Sequence, residues 1–126
     1  MTFNWKEYLD LAQYLQGKIE VCYSEESARR ASVSRAYYAA FCFARNYAQD
    51  HYGRGKGKGP KEHADLISFY TILGTTKQDF VDIAENLDEL RQWRNFCDYD
   101  DNIMTNLNDL ATDALDDAQE IINILI

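Results

Sequence analysis

The chain has 126 residues, 46 % apolar and 27 % charged, with six Gly and one Pro; it fits one domain over 1–126 and excludes collagen-like and disordered classes. So few breakers also argue against an all-β sandwich, where a turn falls about every ten residues. The net charge of −8 speaks against non-specific binding to DNA, whose affinity comes mostly from a basic surface.

Five segments show the helical period. The first, about 4–19, places Trp5, Tyr8, Ala12, Leu15 and Ile19 on one face. Ser24, followed by Glu25 and Glu26, is the N-cap of a second helix running to about Tyr52, where Gly53 closes it. Its apolar stripe is Val33, Tyr37, Ala40, Ala44 and Tyr47, flanked by Ala36, Phe41 and Ala48. Tyr37 and Tyr38 have the chemistry to stack a base, but in so alanine-rich a stripe core packing is the expectation. Residues 53–59 then alternate glycine with Arg54, Lys56 and Lys58. Pro60 opens a third helix reaching about Leu73, and Gly74 ends it. Thr75 with Gln78 has the form of a capping box for a fourth helix, about 76–99. A fifth, about 105–126, buries Leu107, Ala111, Ala114, Ala118, Ile121 and Leu125. The predicted fold class is all-α, an antiparallel up-and-down bundle of four to five helices.

No apolar run reaches the roughly 18 residues of a membrane span, and the N-terminus lacks a basic-then-apolar signal pattern, so no membrane partner is expected. Cys22, Cys42 and Cys97 are odd in number and lack C-x-x-C spacing. They read as thiols of a reducing cytoplasm, one or two of them filling the core. With only His51 and His63 as further soft ligands, neither a metal nor another cofactor is expected. Charge is uneven along the chain: residues 1–74 carry ten Lys/Arg against eight acids, residues 75–126 three against thirteen. That leaves room for a local basic site and for a partner of complementary charge.

The fourth helix holds the position that does not fit. Its stripe reads Phe80, Ile83, Leu87, Leu90, Arg94 and Cys97, so Arg94 occupies a core-facing register. An unpaired guanidinium there costs several kcal/mol, and it must meet a carboxylate, face a cleft or sit at a protomer interface. Asp98 lies one turn on and can pair with it. The functional alternative is an anion site in which Arg94 donates to a phosphate and Asn95 adds a neutral donor and acceptor.

Ser34-Arg35-Ala36-Tyr37-Tyr38-Ala39-Ala40-Phe41 resembles the tyrosine-rich second-helix signature of minimal HEPN domains. Leu90-Arg91-Gln92-Trp93-Arg94-Asn95-Phe96-Cys97-Asp98-Tyr99-Asp100 is similar to their fourth-helix segment, and His63 falls where many members of this subgroup carry a histidine. The resemblance implies a homodimer whose fourth helices line one cleft, a role in RNA or nucleotide binding, and a small nucleotidyltransferase-like partner protein in a toxin–antitoxin or defence module. Catalytic members are metal-independent ribonucleases in which an arginine steadies the phosphorane and a histidine, after four to six intervening residues, moves a proton. Here the three histidine slots after Arg94 hold Tyr99, Asp100 and Asp101. Tyrosine ionises near pH 10 and is a poor base at neutral pH. The candidate catalytic set is therefore Arg94, Asn95, Asp98 and Tyr99 with a degenerate motif, and the phosphate-binding set is Arg94, Arg54, Lys56, Lys58 and His63. An active ribonuclease with a non-standard acid/base and a non-enzymatic interaction module are the alternatives.

Three further patterns carry less. Arg45-Asn46 precedes His51 at the family's spacing, but on the second helix, where it reads as a coincidence. The loop from Arg54 to Lys61 lacks the ending of a nucleotide-triphosphate loop and is either a solvated connector or a phosphate-tracking arm. Asp98, Asp100 and Asn102 imitate a calcium loop, but Ile103 stands where glycine is needed.

Overall fold

The computed structural model describes residues 3–16, 24–55, 57 and 59–126. Five helices follow in order: α1 Lys6–Leu15, α2 Glu25–Tyr52, α3 Lys61–Leu73, α4 Gln78–Tyr99 and α5 Leu107–Leu125. Local chemistry sets several of their ends. The Ser24 hydroxyl accepts from the Ser27 N–H, and Gly53 closes α2 at φ 65°, a left-handed conformation that costs glycine little. Asn106 caps α5 through the Asp109 N–H.

The capping box expected at Thr75 does not form. The hydroxyls of Thr75 and Thr76 donate back to the Ile72 and Leu73 carbonyls, so they satisfy the end of α3, and α4 begins at Gln78 behind an extended Lys77. Gly74 stands there for closeness, not for a special backbone angle. Its φ is −63°, but a Cβ would lie 2.6 Å from Val81 Cγ2.

Buried positions follow the predicted stripes of α2, α4 and α5, with Tyr47 and Leu107 only partly covered and Arg94 partly buried. In α1 the buried pair is Leu9 and Ala12, while Trp5 and Tyr8 lie half-exposed beside the core. Ile19 and Cys22 lie outside the described residues. Cys42 and Cys97 are buried thiols. Among the described residues no helix is long and apolar enough to cross a membrane.

Side-chain contacts fix the helix directions. The Ser32 hydroxyl donates to the Ala12 carbonyl and Arg45 lies over Trp5, so α1 runs against α2. Phe80 meets Tyr52 near the end of α2 and Arg94 meets Tyr38 near its middle, so α4 also runs against α2. Asn86 pairs with Glu120 across α4 and α5. Helices α1, α2, α4 and α5 therefore alternate up and down. Helix α3 instead runs the same way as α2: His63 packs on Phe41 and the Tyr70 hydroxyl donates to the Ala44 carbonyl. Helix α3 therefore begins beside the middle of α2, which brings His63 to the level of Arg94, both touching Tyr38.

Candidate functional site

Arg94 comes from the stripe of α4 that faces α2, and its side chain is 17 % exposed. Its Nε donates to Asp98 Oδ2 at 2.8 Å, the i,i+4 pair the spacing allows. One Nη2 hydrogen bond reaches Tyr38 Oη at 2.7 Å. Nη2 also approaches Tyr99 Oη at 3.3 Å, and Nη1 donates to Asn95 Oδ1 at 3.1 Å. The guanidinium carbon lies 5.1 Å from the Tyr38 ring centroid and 5.3 Å from that of Tyr99, within cation–π range. Burial works against the charge on Arg94, but Tyr38, Tyr99 and Asp98 outweigh it and raise its pKa above the ordinary arginine value. The cation is therefore permanent.

The partners form two groups. Asp98 and Tyr38 tie the guanidinium to α2: Asp98 Oδ2 also accepts from the Ser34 hydroxyl at 3.2 Å, and Tyr38 is half-buried on α2. Asn95 and Tyr99 cover it from outside, and Tyr99 is 70 % exposed. Arg30 secures this end of α4. Its Nη1 donates to the Cys97 and Asp100 carbonyls at 3.1 and 2.6 Å, placing a cation at a helix C-terminus where the dipole favours it.

His63 enters from α3. Its ring stacks on Phe41 at 4.4 Å, meets the Tyr38 ring edge-on at 6.2 Å, and its Nδ1 is hydrogen-bonded to the Tyr37 hydroxyl. Tyr38 thus touches both His63 and Arg94. Burial first, then Arg91 and Arg94, push the His63 pKa below 6.5, so the ring is neutral at pH 7. Tyr37 is buried, and burial raises its pKa well above the tyrosine value, so it keeps its proton. With no other acceptor, that hydroxyl donates to Nδ1 and leaves the ring N–H on Nε2, which makes no hydrogen bond among the described residues. The ring is a neutral donor, not a base.

Of the predicted site residues, the structure brings Arg94, Asn95, Asp98, Tyr99 and His63 together. Arg54 stands apart: its guanidinium carbon lies 5.6 Å from the Phe69 ring near the C-terminal half of α3, and Lys56 and Lys58 lie outside the described residues. Arg45 and His51 belong to the far end of α2, away from Arg94. Tyr38 and Arg91 join the site without having been singled out for it. The presence of Tyr38 in the second-helix signature was the available signal, while Arg91 sits one turn before Arg94. Among the described residues no group of three His, Cys, Asp or Glu side chains is placed to hold a metal.

A family model described as HEPN domain matches residues 6–126. An uncharacterized protein of Methanocaldococcus jannaschii is 28 % identical over 110 residues, covering 78 % of this chain and 61 % of that protein. The chain thus spans about three-fifths of the length of that relative. No solved structure matches the chain.

Proposed function

The chain belongs to the HEPN-domain family, and from that premise we propose that it is a homodimeric RNA-binding module whose Arg94 cluster takes a backbone phosphate without the family's histidine-driven cleavage. The observation that carries this reading is the two-sided packing of Arg94. Tyr38 holds it by a part-buried bond and Asp98 by an ion pair anchored on the Ser34 hydroxyl of α2, while Asn95 and Tyr99 meet it by exposed contacts. A phosphate oxygen can replace those two and form charge-assisted bonds with Nη1 and Nη2. The neutral Nε2–H of His63 adds a donor that stays in place across physiological pH.

Cleavage needs a base for the 2′-hydroxyl, and the cluster holds no good one. Asp98 Oδ2 is occupied by Arg94 and Ser34, the Tyr99 hydroxyl is engaged by the Arg94 guanidinium, and Nε2 of His63 already carries hydrogen. Phe96 and Tyr99 expose 44 % and 70 % of their surface beside Arg94, which supports pairing of two such faces about a two-fold axis. A toxin–antitoxin or defence setting and a nucleotidyltransferase-like partner extend this reading by family analogy.

The test uses single-stranded RNA binding and cleavage with Arg94→Ala and Arg94→Lys, beside light scattering. Binding that falls about tenfold or more in both variants, with no cleavage by the parent protein, is the expected result. Unchanged binding in Arg94→Ala, or a monomer at tens of micromolar (about the concentration at which weak dimers form), defeats it.

A further inference from the structure

A second concave site lies at the other end of α2, about 14 Å from Tyr38 along the helix axis at 1.5 Å per residue. A cleft of about 250 Å3 opens there between the last turns of α2 and the segment leading into α1. Phe43, Asn46, Tyr47 and Asp50 line it at positions i, i+3, i+4 and i+7, which is one face of the helix. Trp5 and His51 complete the aromatic part. Tyr47 and His51 are stacked at 4.1 Å with 27° between planes. Trp5 is fixed edge-on to Tyr8 at 5.2 Å and lies 5.7 Å from the Arg45 guanidinium carbon. Aromatic walls held this way suit a planar heterocycle.

The polar groups select the heterocycle. Asn46 Oδ1 already accepts from Nε and Nη2 of Arg45 at 3.3 Å each, so the amide that remains to be offered is the NH2 donor. One turn on, Asp50 is exposed and, when ionised, accepts only. A donor next to a two-oxygen acceptor complements a ring edge with a carbonyl beside two N–H groups. Guanine presents that edge in O6, N1–H and N2–H2. Adenine sets the lone pair of N1 against the carboxylate.

We propose that this cleft binds a guanine base, either of a free guanine nucleotide or of an unpaired guanosine in RNA. The site shares no side chain with the Arg94 cluster and stands whether or not that cluster binds phosphate. It also gives a structural meaning to the stray Arg45-Asn46…His51 pattern: Arg45 orients the amide, and Asn46 and His51 line the cleft.

Trp5 is the reporter. In a Trp93→Phe background, with inner-filter correction, GMP quenches Trp5 fluorescence to saturation, AMP acts about tenfold or more weakly for want of the carboxylate-bound N–H pair, and inorganic phosphate has no effect. Asp50→Asn, on the exposed surface of α2 and checked for helicity, weakens GMP by about tenfold and strengthens AMP, whose N1 lone pair then meets an amide instead of a carboxylate. Arg94→Ala leaves the GMP response intact. A U-rich oligoribonucleotide containing one guanosine that binds at least as tightly as GMP, and more tightly than its all-U counterpart, assigns the base to RNA. The reverse order assigns it to the free nucleotide. Absence of a saturable GMP response, equal responses to GMP and AMP, normal GMP binding by Asp50→Asn, or loss of the response in Arg94→Ala overturns the proposal.

Discussion

Helix α4 carries charge into two seams, and the two seams treat it oppositely. Toward α2, Arg94 meets Asp98, Tyr38, Tyr99 and Asn95, so its charge is compensated nearly donor by donor. Toward α5, Asp117 meets like charge: burial, then Glu89, Glu120 and Asp113 raise its pKa to about 7. Its Oδ2 is buried without a hydrogen-bond partner among the described residues. The α2 seam gains by keeping its ion; the α5 seam gains by losing one. A buried charge is therefore not informative by itself, and the sign of its neighbours decides what its removal does.

The contrast breaks most visibly at Arg94. Its replacement by Ala should cost about 1–3 kcal/mol of stability by leaving Asp98 and the Tyr38 hydroxyl undercompensated, beside the loss of RNA binding described above. Adding Asp98→Asn should recover part of the stability and none of the binding. Thermal unfolding of the single and double variants checks this, and a double variant no more stable than the single would show that Asp98 is not the main partner.

Tyr38→Phe sharpens the same seam. It removes one acceptor from Nη2 but keeps the ring under the guanidinium, so a loss near 1 kcal/mol is expected, about the net value of one hydrogen bond. Urea denaturation reads it, and a loss as large as that of Arg94→Ala would mean that Tyr38 serves the core more than the cation.

On the α5 seam the expected sign reverses. The folded chain holds the Asp117 proton up to about pH 7, whereas the unfolded chain releases it near pH 4. The associated stability is fully present below about pH 4 and is lost as pH rises through 7. Asp117→Asn should therefore match the parent in acid and exceed it above pH 7, by about 0.5–1 kcal/mol after allowing for a half-exposed group. His63 contributes in the opposite direction: its pKa is lowered in the fold, so its share is lost as pH falls below about 6.5. Unfolding curves from pH 4 to 9 in Asp117→Asn and His63→Gln separate the two.

The smallest effect on stability belongs to the basic loop. Neutralising Arg54, Lys56 and Lys58 together should leave unfolding within about 0.5 kcal/mol of the parent, while flattening the salt dependence of RNA binding if the loop tracks phosphates. An unchanged slope returns the loop to the status of a connector.

Local chemistry was the legible part. Ser24 and Gly53 announce the ends of α2 because capping is settled within a few residues, and the stripes of α2, α4 and α5 announce the core because burial follows the helical period. The pairing of Arg94 with Asp98 was legible for the same reason. Thr75 misled because its hydroxyl had two helix ends to choose from and bonded backward. Tyr38 lies 56 positions from Arg94 and His63 lies 26 from Tyr37; the first meeting depends on how α4 docks on α2 and the second on the direction of α3, neither of which a local pattern encodes. The cleft at Asn46 and Asp50 was hidden because a third of its lining comes from the entry to α1.

The bond between Tyr37 and His63 also ties the two ends of a signal in time. The first turn of α3 is held to α2 through this imidazole and its stack on Phe41. Anything that engages Nε2 of His63 at the Arg94 cluster adds a second tether to that turn and lowers the population in which it opens. Amide hydrogens early in α3, around Asp65 to Ile67, should then exchange more slowly when the cluster is occupied, although none of them touches the occupant. The helix that stands outside the up-and-down alternation would keep the record of whether the site is filled.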